Sequence, residues 1–353
     1  MSIPIIQMLF IGMLPSWLKV RLYRLRGARI GKRARIGIFS VLLATEIEIG
    51  DDCQIGFATV IKAKKIALGN RVRIGTLVAI DTNELSVGHD SVIMEQNVVG
   101  GMRTPRSRLQ IGSRVKIFPF CFINPTEPIV IEDDVGIGGS NYLFTHGSWQ
   151  SGLDGFPVVF GPIRIRKGAW LPWRVFVMPN VEIGTYATLG AASVVTRSIP
   201  GYSLAVGTPA KIISENKSHI RVLDENQKWL YLAQIVEQFR ELLEFDGLTT
   251  HLTSGAGKLG LQVWENEALA GTYTFVDRDE QLDKLNSNDI IVSLYRLSIE
   301  TRERLRIHSI SWFDIETGVM EFGGHHLSHL VRDFLSRFGI RFAVESDPPW
   351  INN

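Results

Sequence analysis

The stretches IGKRARIG (residues 30–37), IGDDCQIG (49–56) and LGNRVRIG (68–75) each contain two aliphatic-glycine pairs, six residues apart. The same spacing continues to about residue 213. It matches neither the period of about 3.6 residues of an amphipathic helix nor the alternation of a half-buried strand. A hexapeptide repeat is typical of a parallel β-helix, so we predict one over residues 29–213. The later aliphatic positions are Val87, Ile93, Ile111, Ile117, Ile131, Ile137, Ile165, Leu171, Val177, Ile183 and Leu189.

Each hexapeptide should form one short strand and a corner, with three hexapeptides in a coil of about 18 residues. The aliphatic side chain points inward and stacks on its equivalents about 4.8 Å away. Glycine follows because the corner brings backbones close and can require positive φ. Four residues after the aliphatic position comes a small or β-branched residue, as at Ala34 and Thr59. Cys53 and Cys121 occupy this slot, so we expect packed thiols rather than a disulfide or a nucleophile.

The N-terminal 35 residues combine an apolar stretch, Ile3 to Leu14, with a basic one. No acidic residue precedes Glu46, whereas eight lysines and arginines lie between Lys19 and Arg35. The apolar stretch is too short to span a bilayer, which takes about 20 residues. Two compatible interpretations stay open: residues 1–28 form a helical cap on the first coil, or residues 1–35 bind an anionic membrane surface. Nucleic acid is a poorer candidate, because no motif for reading it accompanies the charge.

Composition is ordinary for a soluble globular protein, with 45% hydrophobic and 21% charged residues and a net charge of +2. Two cysteines in 353 residues and the lack of a cleavable signal peptide favour a reducing compartment. We therefore expect a cytoplasmic protein, peripheral at the inner face of the cell membrane if its N-terminus binds lipid.

The repeat stops after Ile213, and residues 214–353 predict a small α+β domain whose role the sequence does not indicate. Leu230, Ile235 and Phe239 lie on the apolar stripe of a helix expected over 225–245, with Gly247 as its stop. The other expected elements are strands at 271–276, 289–294, 308–313 and 340–344 and a helix at 326–338.

The second half of the repeat resembles the left-handed β-helix acetyltransferases, especially the branch that O-acetylates sugars. The stretches that carry the resemblance are IEDDVGIG (131–138), Thr145-His146, Gly168-Ala169-Trp170, GAASVVTR (190–197) and GTPAKII (207–213). The resemblance implies that the parallel β-helix is left-handed, so the fold class we expect is a mainly β chain with a left-handed parallel β-helix, an N-terminal helical cap and a small C-terminal α+β domain. It also implies a homotrimer that holds acetyl-CoA in the groove between adjacent subunits.

Acyl transfer to a hydroxyl needs a general base, and histidine is the side chain best matched to neutral pH. His146 stands at the family's base position, directly before the irregular loop 148–157. Its orienting acceptor stays open among Glu127, Asp154 and a backbone carbonyl. The resemblance further implies that a backbone N–H near Trp173 stabilises the oxyanion.

The resemblance assigns the remaining candidate residues by position. Trp170 and Trp173 would line the thioester end of acetyl-CoA, and Ala191 would pass its pantetheine arm. Relatives carry a small pair where this chain has Leu171-Pro172-Trp173, and a second indole there favours a short acyl group. The other implied contacts are Thr196 and Arg197 further along the coenzyme, Lys211 at a phosphate or simply solvated, and Asn124 at the sugar.

The leading hypothesis is an acetyl-CoA-dependent O-acetyltransferase in polysaccharide biosynthesis, acting on a surface glycan or its lipid-linked precursor. The alternatives are an N-acetyl- or other acyltransferase acting on a nucleotide sugar, and a non-catalytic β-helix subunit. We expect no metal, because the β-helix offers only His89 and His146. The spacing of His325, His326 and His329 is more typical of a helix N-terminus than of a zinc site.

Overall fold

The computed structural model describes residues 5–255, 257–278, 282, 286 and 288–350, so Ile3 and Pro4 of the apolar stretch lie outside the described residues. The chain divides into two compact units. The first comprises Met1–Ile220 with Pro349–Asn353, and the second comprises Arg221–Pro348.

The described part of the first unit contains 28 short strands, nearly all of them in parallel sheets. In chain order they are β1 (Arg29–Ile30), β2 (Arg35–Ile36), β3 (Val41–Leu43), β4 (Glu46–Ile49), β5 (Gln54–Ile55), β6 (Val60–Lys62), β7 (Lys65–Leu68), β8 (Arg73–Ile74), β9 (Ala79–Asp81), β10 (Glu84–Val87), β11 (Val92–Ile93), β12 (Val98–Val99), β13 (Arg108–Ile111), β14 (Lys116–Ile117), β15 (Phe122–Asn124), β16 (Ile129–Ile131), β17 (Gly136–Ile137), β18 (Tyr142–Phe144), β19 (His146–Gly147), β20 (Val159–Phe160), β21 (Ile163–Ile165), β22 (Trp170–Leu171), β23 (Phe176–Val177), β24 (Val181–Ile183), β25 (Thr188–Leu189), β26 (Val194–Val195), β27 (Leu204–Val206) and β28 (Lys211–Ser214).

These strands build the three faces of a prism, as the repeat predicts. Sheet A has the order β1-β4-β7-β10-β13-β16-β21-β24, and sheet B has β2-β5-β8-β11-β14-β17-β22-β25-β27-β28. Sheet C has β26-β23-β18-β15-β12-β9-β6-β3, while β19 and β20 form a separate antiparallel hairpin. We call the turns from sheet B to sheet C the BC corner and those from sheet C to sheet A the CA corner. The mainly β, parallel β-helical fold is confirmed.

The aliphatic residues of the repeat form one continuous core. None of the predicted positions is more than 8% exposed, and most are fully buried. Strand pairing stacks them in register, for example Ile30 on Ile49 and Ile49 on Leu68. The early coils have a 19-residue spacing, one residue longer than expected.

The glycine after each aliphatic residue serves close approach, but the positive φ expected there is wrong. A Cβ on Gly31 would lie 2.6 Å from the carbonyl carbon of Gly50, so no larger side chain fits without movement. Positive φ falls two residues later, at Arg33 (53°) and at Arg71 (58°). There the side chains pair across adjacent coils, as Arg71 does with Asp90 at 2.8 Å.

Both cysteines are free and buried, which confirms the packed-thiol prediction; Cys53 lies in the turn from sheet A to sheet B, and Cys121 lies at the BC corner. The thiol of Cys53 donates to the carbonyl of Gly69 at 2.9 Å, and that of Cys121 to Gly138 at 3.2 Å. Burial raises the pKa of each thiol to about 11. Neither cysteine is therefore a thiolate at neutral pH.

Two helices, α1 (Ile5–Phe10) and α2 (Ser16–Leu25), precede the first coil. Backbone groups of the first coil have no preceding coil to pair with, and side chains of α2 bond to them instead. Lys19 donates to the carbonyls of Gly37 and Ser40. Arg24 donates to the carbonyls of Ile30 and Gly31. The Tyr23 hydroxyl accepts from the Leu42 N–H at 2.8 Å. The helical cap is confirmed. No helix among the described residues has both the length and the apolar character needed to cross a bilayer.

Because the ammonium group of Lys19 is buried, the free energy of unfolding should increase as the pH rises into the alkaline range. Desolvation lowers its pKa from 10.5 to about 8 in the folded protein. Between these two values the unfolded chain binds more protons than the folded chain, so the free energy of unfolding should rise with pH. Denaturant titrations from pH 7.5 to 10.5 on the wild type and on Lys19→Met check this. The wild type should gain stability relative to the variant across this window; parallel pH profiles would contradict the effect.

The second unit begins with α3 (Glu225–Phe245), whose N-terminus has a capping box between Asp224 and Gln227. The helix bounds agree with the sequence prediction, and Gly247 adopts φ +88° as the predicted stop. The remaining elements are β29 (Thr249–Gly255), β30 (Lys258–Glu265), β31 (Ala268–Val276), β32 (Asp289–Ser293), α4 (Ile299–Ile307), β33 (Ser311–Asp314), β34 (Val319–Glu321), α5 (Ser328–Leu335) and β35 (Ala343–Val344).

The strands described in this unit, β29 to β35, form one mixed sheet in sequence order. Strands β31, β32 and β33 are parallel neighbours, and α4 connects β32 to β33. The sheet and its helices confirm the α+β prediction. Strands β29, β30 and β34 and helix α4 were not predicted, and β33 starts three residues later than expected, since α4 extends to Ile307.

Candidate functional site

His146 lies at the CA corner, two residues after the last residue of β18, and begins the β19–β20 hairpin. Its imidazole stacks on the ring of Phe160, with centroids 5.8 Å apart and planes at 17°. The Nδ1 atom is buried and has no hydrogen-bond partner within the described part of the chain. Buried polar atoms are rarely left unpaired, so this nitrogen is an exception among the described residues.

The turn beneath His146 is held by hydrogen bonds between adjacent coils. The hydroxyl of buried Thr145 donates to the carbonyl of Asn124 at 2.6 Å and accepts from the N–H of Glu127 at 3.0 Å. The Asn124 side-chain oxygen accepts from the Thr126 hydroxyl at 2.8 Å. Asn124 is itself buried, and a Cβ on Gly101 would collide with its amide. His146 therefore projects from a well-fixed backbone, and Asn124 belongs to the support.

The two carboxylates considered as orienting groups do not hydrogen-bond to His146. Glu127 is held by Arg106, whose Nε and Nη2 lie 2.7 and 2.5 Å from the carboxylate oxygens. That hydrogen-bonded guanidinium lowers the pKa of Glu127. Asp154 lies in an exposed 3-10 turn, Gly152–Asp154, at the tip of the hairpin loop. Arg106 and Phe160 were missed as neighbours of this corner, because each depends on how loops fold against the coils.

A second group of predicted residues lies on sheet B and at the BC corner. The ring of Trp170 covers Gly136 and that of Trp173 covers Gly139, where an added Cβ would lie only 2.5 and 2.0 Å from the indoles. Phe118 is close to both indoles, at centroid distances of 6.5 and 6.3 Å. The two tryptophans stay 37% and 49% exposed. They form an aromatic surface that glycines on the preceding coil make possible.

Ala191 lies one coil beyond Trp173, since the N–H of the adjacent Ala192 donates to the Trp173 carbonyl at 2.9 Å. Lys211 lies in β28, opposite Val206 at the end of sheet B. Thr196 and Arg197 follow β26 at the CA corner, two coils beyond His146.

The structure thus divides the predicted site residues between the two corners that flank sheet C. Asn124, His146, Thr196 and Arg197 lie at the CA corner, whereas Trp170, Trp173, Ala191 and Lys211 lie on sheet B or at the BC corner. Between these corners, the outward face of sheet C carries Phe122, Tyr142 and Phe176, with Tyr142 and Phe176 stacked at 4.5 Å.

His89, the other histidine of the β-helix, has a structural role. Its Nδ1 accepts a hydrogen bond from the N–H of Asn70 at 2.9 Å. Asp51, Asn70 and Asp133 accept from the preceding coil in the same way, so His89 is one member of a ladder of side-chain acceptors. Among the described residues, no group of three or more His, Cys, Asp or Glu could hold a metal ion.

No protein-family model matches the chain. Serine acetyltransferase of Haemophilus influenzae is 36% identical over 104 residues, which are 30% of this chain and 36% of that protein. A Staphylococcus aureus protein named as an acetyltransferase is 49% identical over 53 residues, 15% of this chain and 27% of that protein. The chain therefore spans about a third of the length of the curated relatives it matches.

Solved structures of the same kind align more loosely. The polySia-specific acetyltransferase NeuO has a TM-score of 0.41 at 19% identity, over 59% of this chain and 90% of that one. A hexapeptide-repeat acetyltransferase of Vibrio cholerae, complexed with acetyl coenzyme A, has a TM-score of 0.33 at 26% identity, over 36% and 69%. In its hexapeptide repeat and in these sequence matches, the β-helical part of this chain is similar to acetyltransferases.

Proposed function

We propose that this protein transfers the acetyl group of acetyl-CoA to a sugar hydroxyl of a surface polysaccharide or of its lipid-linked precursor. The observation that carries the proposal is His146, a histidine on a rigid corner with one buried, unpaired ring nitrogen. The match to a serine acetyltransferase supports a hydroxyl as the acceptor. The sugar branch rests on the resemblance of residues 131–213.

In the proposed reaction the Nε2 atom of His146 takes the proton of the sugar hydroxyl while the hydroxyl oxygen attacks the thioester carbonyl. A backbone N–H near Trp173 donates to the oxyanion of the tetrahedral intermediate. As the carbon–sulfur bond breaks, the imidazolium returns its proton to the departing thiolate of coenzyme A. The products are an acetylated sugar and free coenzyme A.

We further propose that the active unit is a homotrimer with its sites between adjacent subunits. One subunit would contribute His146 from its CA corner, and its neighbour would contribute the aromatic surface of Trp170 and Trp173. This arrangement is supported by the position of His146 at the CA corner, on the other side of sheet C from Trp170 and Trp173, since one prism presents them at different corners. A neighbouring subunit would also cover the groove that takes the pantetheine arm past Ala191.

The proposal is tested by mass spectrometry of the surface glycan from cells with and without the active protein. Acetyl groups should disappear when the protein is lost and return when it is restored. Mild alkali separates the alternatives, because it removes O-acetyl esters and leaves N-acetyl amides. Alkali-stable acetyl groups would favour an N-acyltransferase, and an unchanged glycan would contradict a role in its acetylation.

We also propose peripheral membrane binding through the N-terminus, which would place the enzyme at the inner face of the cell membrane. Helix α1 has no buried residue among those described, and Ile6 and Phe10 are 69% and 74% exposed. Arg21 and Arg26 are exposed on or beside α2, whereas Arg24 bonds the first coil. Apolar and basic groups arranged in this way suit an anionic lipid surface.

The protein should therefore sediment with vesicles that contain phosphatidylglycerol and not with pure phosphatidylcholine. Each basic residue near the surface adds about 1 kcal/mol, an effect that salt screens. Arg21→Gln with Arg26→Gln should weaken sedimentation, and so should high salt. Arg73→Gln with Lys116→Gln, both on sheet B, removes the same two charges and should bind like the parent. Sedimentation that ignores both salt and the two substitutions would leave the segment as a cap alone.

A further inference from the structure

The second unit contains a cavity of about 870 Å³ that the proposed reaction does not use. Pockets that bind small molecules have volumes of about 300–1,000 Å³. The cavity is lined by the first turn of α3, by residues that follow β31 and by the connection between β32 and α4. Its principal side chains are Glu225, Asn226, Trp229, Asp277, Arg278, Tyr295 and Arg296.

The topology of the sheet explains why a cavity forms here. Parallel β31 and β32 end at Val276 and Ser293, and the chain from each continues into the cavity wall. In open sheets of parallel strands, ligands bind in the crevice outside the carboxyl ends. Ser298 caps α4 at the same place, its hydroxyl accepting from the N–H of Thr301 at 3.2 Å.

The Tyr295 hydroxyl is a buried group that lacks a hydrogen-bond partner among the described residues. Its oxygen is buried and has no partner in the described portion of the chain, although Tyr295 lines the cavity. Burial and the nearby carboxylates of Glu225 and Glu316 raise the pKa of Tyr295, which keeps the hydroxyl a proton donor. Since Tyr295 lines the cavity, a small movement of its side chain would bring this unpaired hydroxyl within reach of a ligand there.

The lining charges indicate which chemical class fits. Glu225 and Asp277 can only accept hydrogen bonds, and Arg278 and Arg296 can only donate them. Two acids and two arginines give little net attraction for a polyanion or a polycation. Hydroxyl groups both donate and accept, so a ligand rich in hydroxyls is complementary to both kinds of side chain.

Trp229 and Tyr295 add aromatic surface to this polar set. Aromatic side chains with a polar tip combine a large apolar face with a hydrogen-bonding group. A sugar ring has the matching character, with a face of C–H groups and a rim of hydroxyls. We infer that the cavity of the second unit binds a neutral oligosaccharide and so holds the glycan acceptor at a second place. The choice of a glycan as acceptor rests on the proposed function.

Isothermal titration of the full-length chain with maltohexaose and cellohexaose tests the inference, with hexagalacturonate as the anionic comparison. At least one neutral hexasaccharide should bind, and more tightly than the anionic one. Tyr295→Phe removes only the unpaired hydroxyl and should weaken binding about 3- to 10-fold, the value of one neutral hydrogen bond. Tyr231→Phe, at a half-exposed tyrosine of α3 outside the cavity, is the matched control and should bind like the parent.

Trp229→Ala should weaken binding more than Tyr295→Phe does, with its fold checked by circular dichroism. The inference is overturned if neither neutral hexasaccharide binds, if hexagalacturonate binds more tightly, or if the parent and Tyr295→Phe bind alike. Titration needs no acetyl transfer, so the two proposals fail separately. Binding without any transfer would remove the proposed function only, whereas transfer without saccharide binding would remove this site only.

Discussion

Replacing His146 with alanine should lower turnover about 10²- to 10⁴-fold, the contribution of a positioned general base. The loss should fall on kcat more than on KM, because the imidazole acts on the proton that moves in the transition state. The measurement is steady-state release of coenzyme A in the presence of the glycan acceptor. Thermal unfolding should change little, since the imidazole makes one ring stack and its Nδ1 makes no hydrogen bond with the described residues.

The matched control is the other histidine of the β-helix. His89→Asn keeps a short side-chain acceptor for the Asn70 N–H, as Asp51 and Asn70 provide on other coils. Its activity should stay within a few-fold of the parent. His146→Ala activity within a few-fold of the parent would remove His146 as the base. Equal losses in both variants would indicate damage to the coil instead of lost chemistry.

Mixing two inactive variants should restore activity if the site lies between subunits. His146→Ala removes the base at the CA corner, and Ala191→Glu places a large anionic side chain in the proposed coenzyme groove at the BC corner. Each variant alone should be nearly inactive. Unfolding and refolding them together at equal amounts forms trimers in which about one quarter of the sites combine two intact edges. Activity of the mixture should approach that fraction of the parent.

Parent protein mixed with a chain carrying both substitutions is the control for subunit exchange. It should also retain about one quarter of the sites, because both neighbours must then be parent chains. If the whole site instead lay within one subunit, the mixture of single variants would stay inactive and this control would retain about one half of the sites. A fully active monomer at assay concentration would contradict the trimer itself.

The sequence was sufficient for the elements that depend on periodic burial. The repeat predicted the three sheets because every aliphatic residue meets its equivalent on the next coil, and α3 was predicted because its apolar stripe is long. Helix α4 was missed, since only Thr301 and Leu305 are buried on it and no stripe results. Strand β30 could have been found: Leu259, Leu261 and Val263 alternate with less buried residues.

Less of the site could be predicted, because its geometry depends on contacts between coils. His146 followed from its place beside Thr145, but the unpaired Nδ1 did not. The pairing of Arg106 with Glu127 joins residues 21 positions apart through an irregular loop, and no local pattern encodes it. Assigning the candidate residues to the BC and CA corners required the strand order of the three sheets. That order places Trp173 and His146 at opposite ends of the strands of sheet C.

The way α2 covers the first coil also prevents the β-helix from being extended at that end. Exposed strand edges with free N–H and C=O groups are templates on which further chains add. Lys19, Tyr23 and Arg24 occupy such groups on the first coil with their own side chains. A second prism therefore cannot continue the ladder at that end. The cap acts as a terminator of growth, which keeps a fold built by stacking from extending into a fibre.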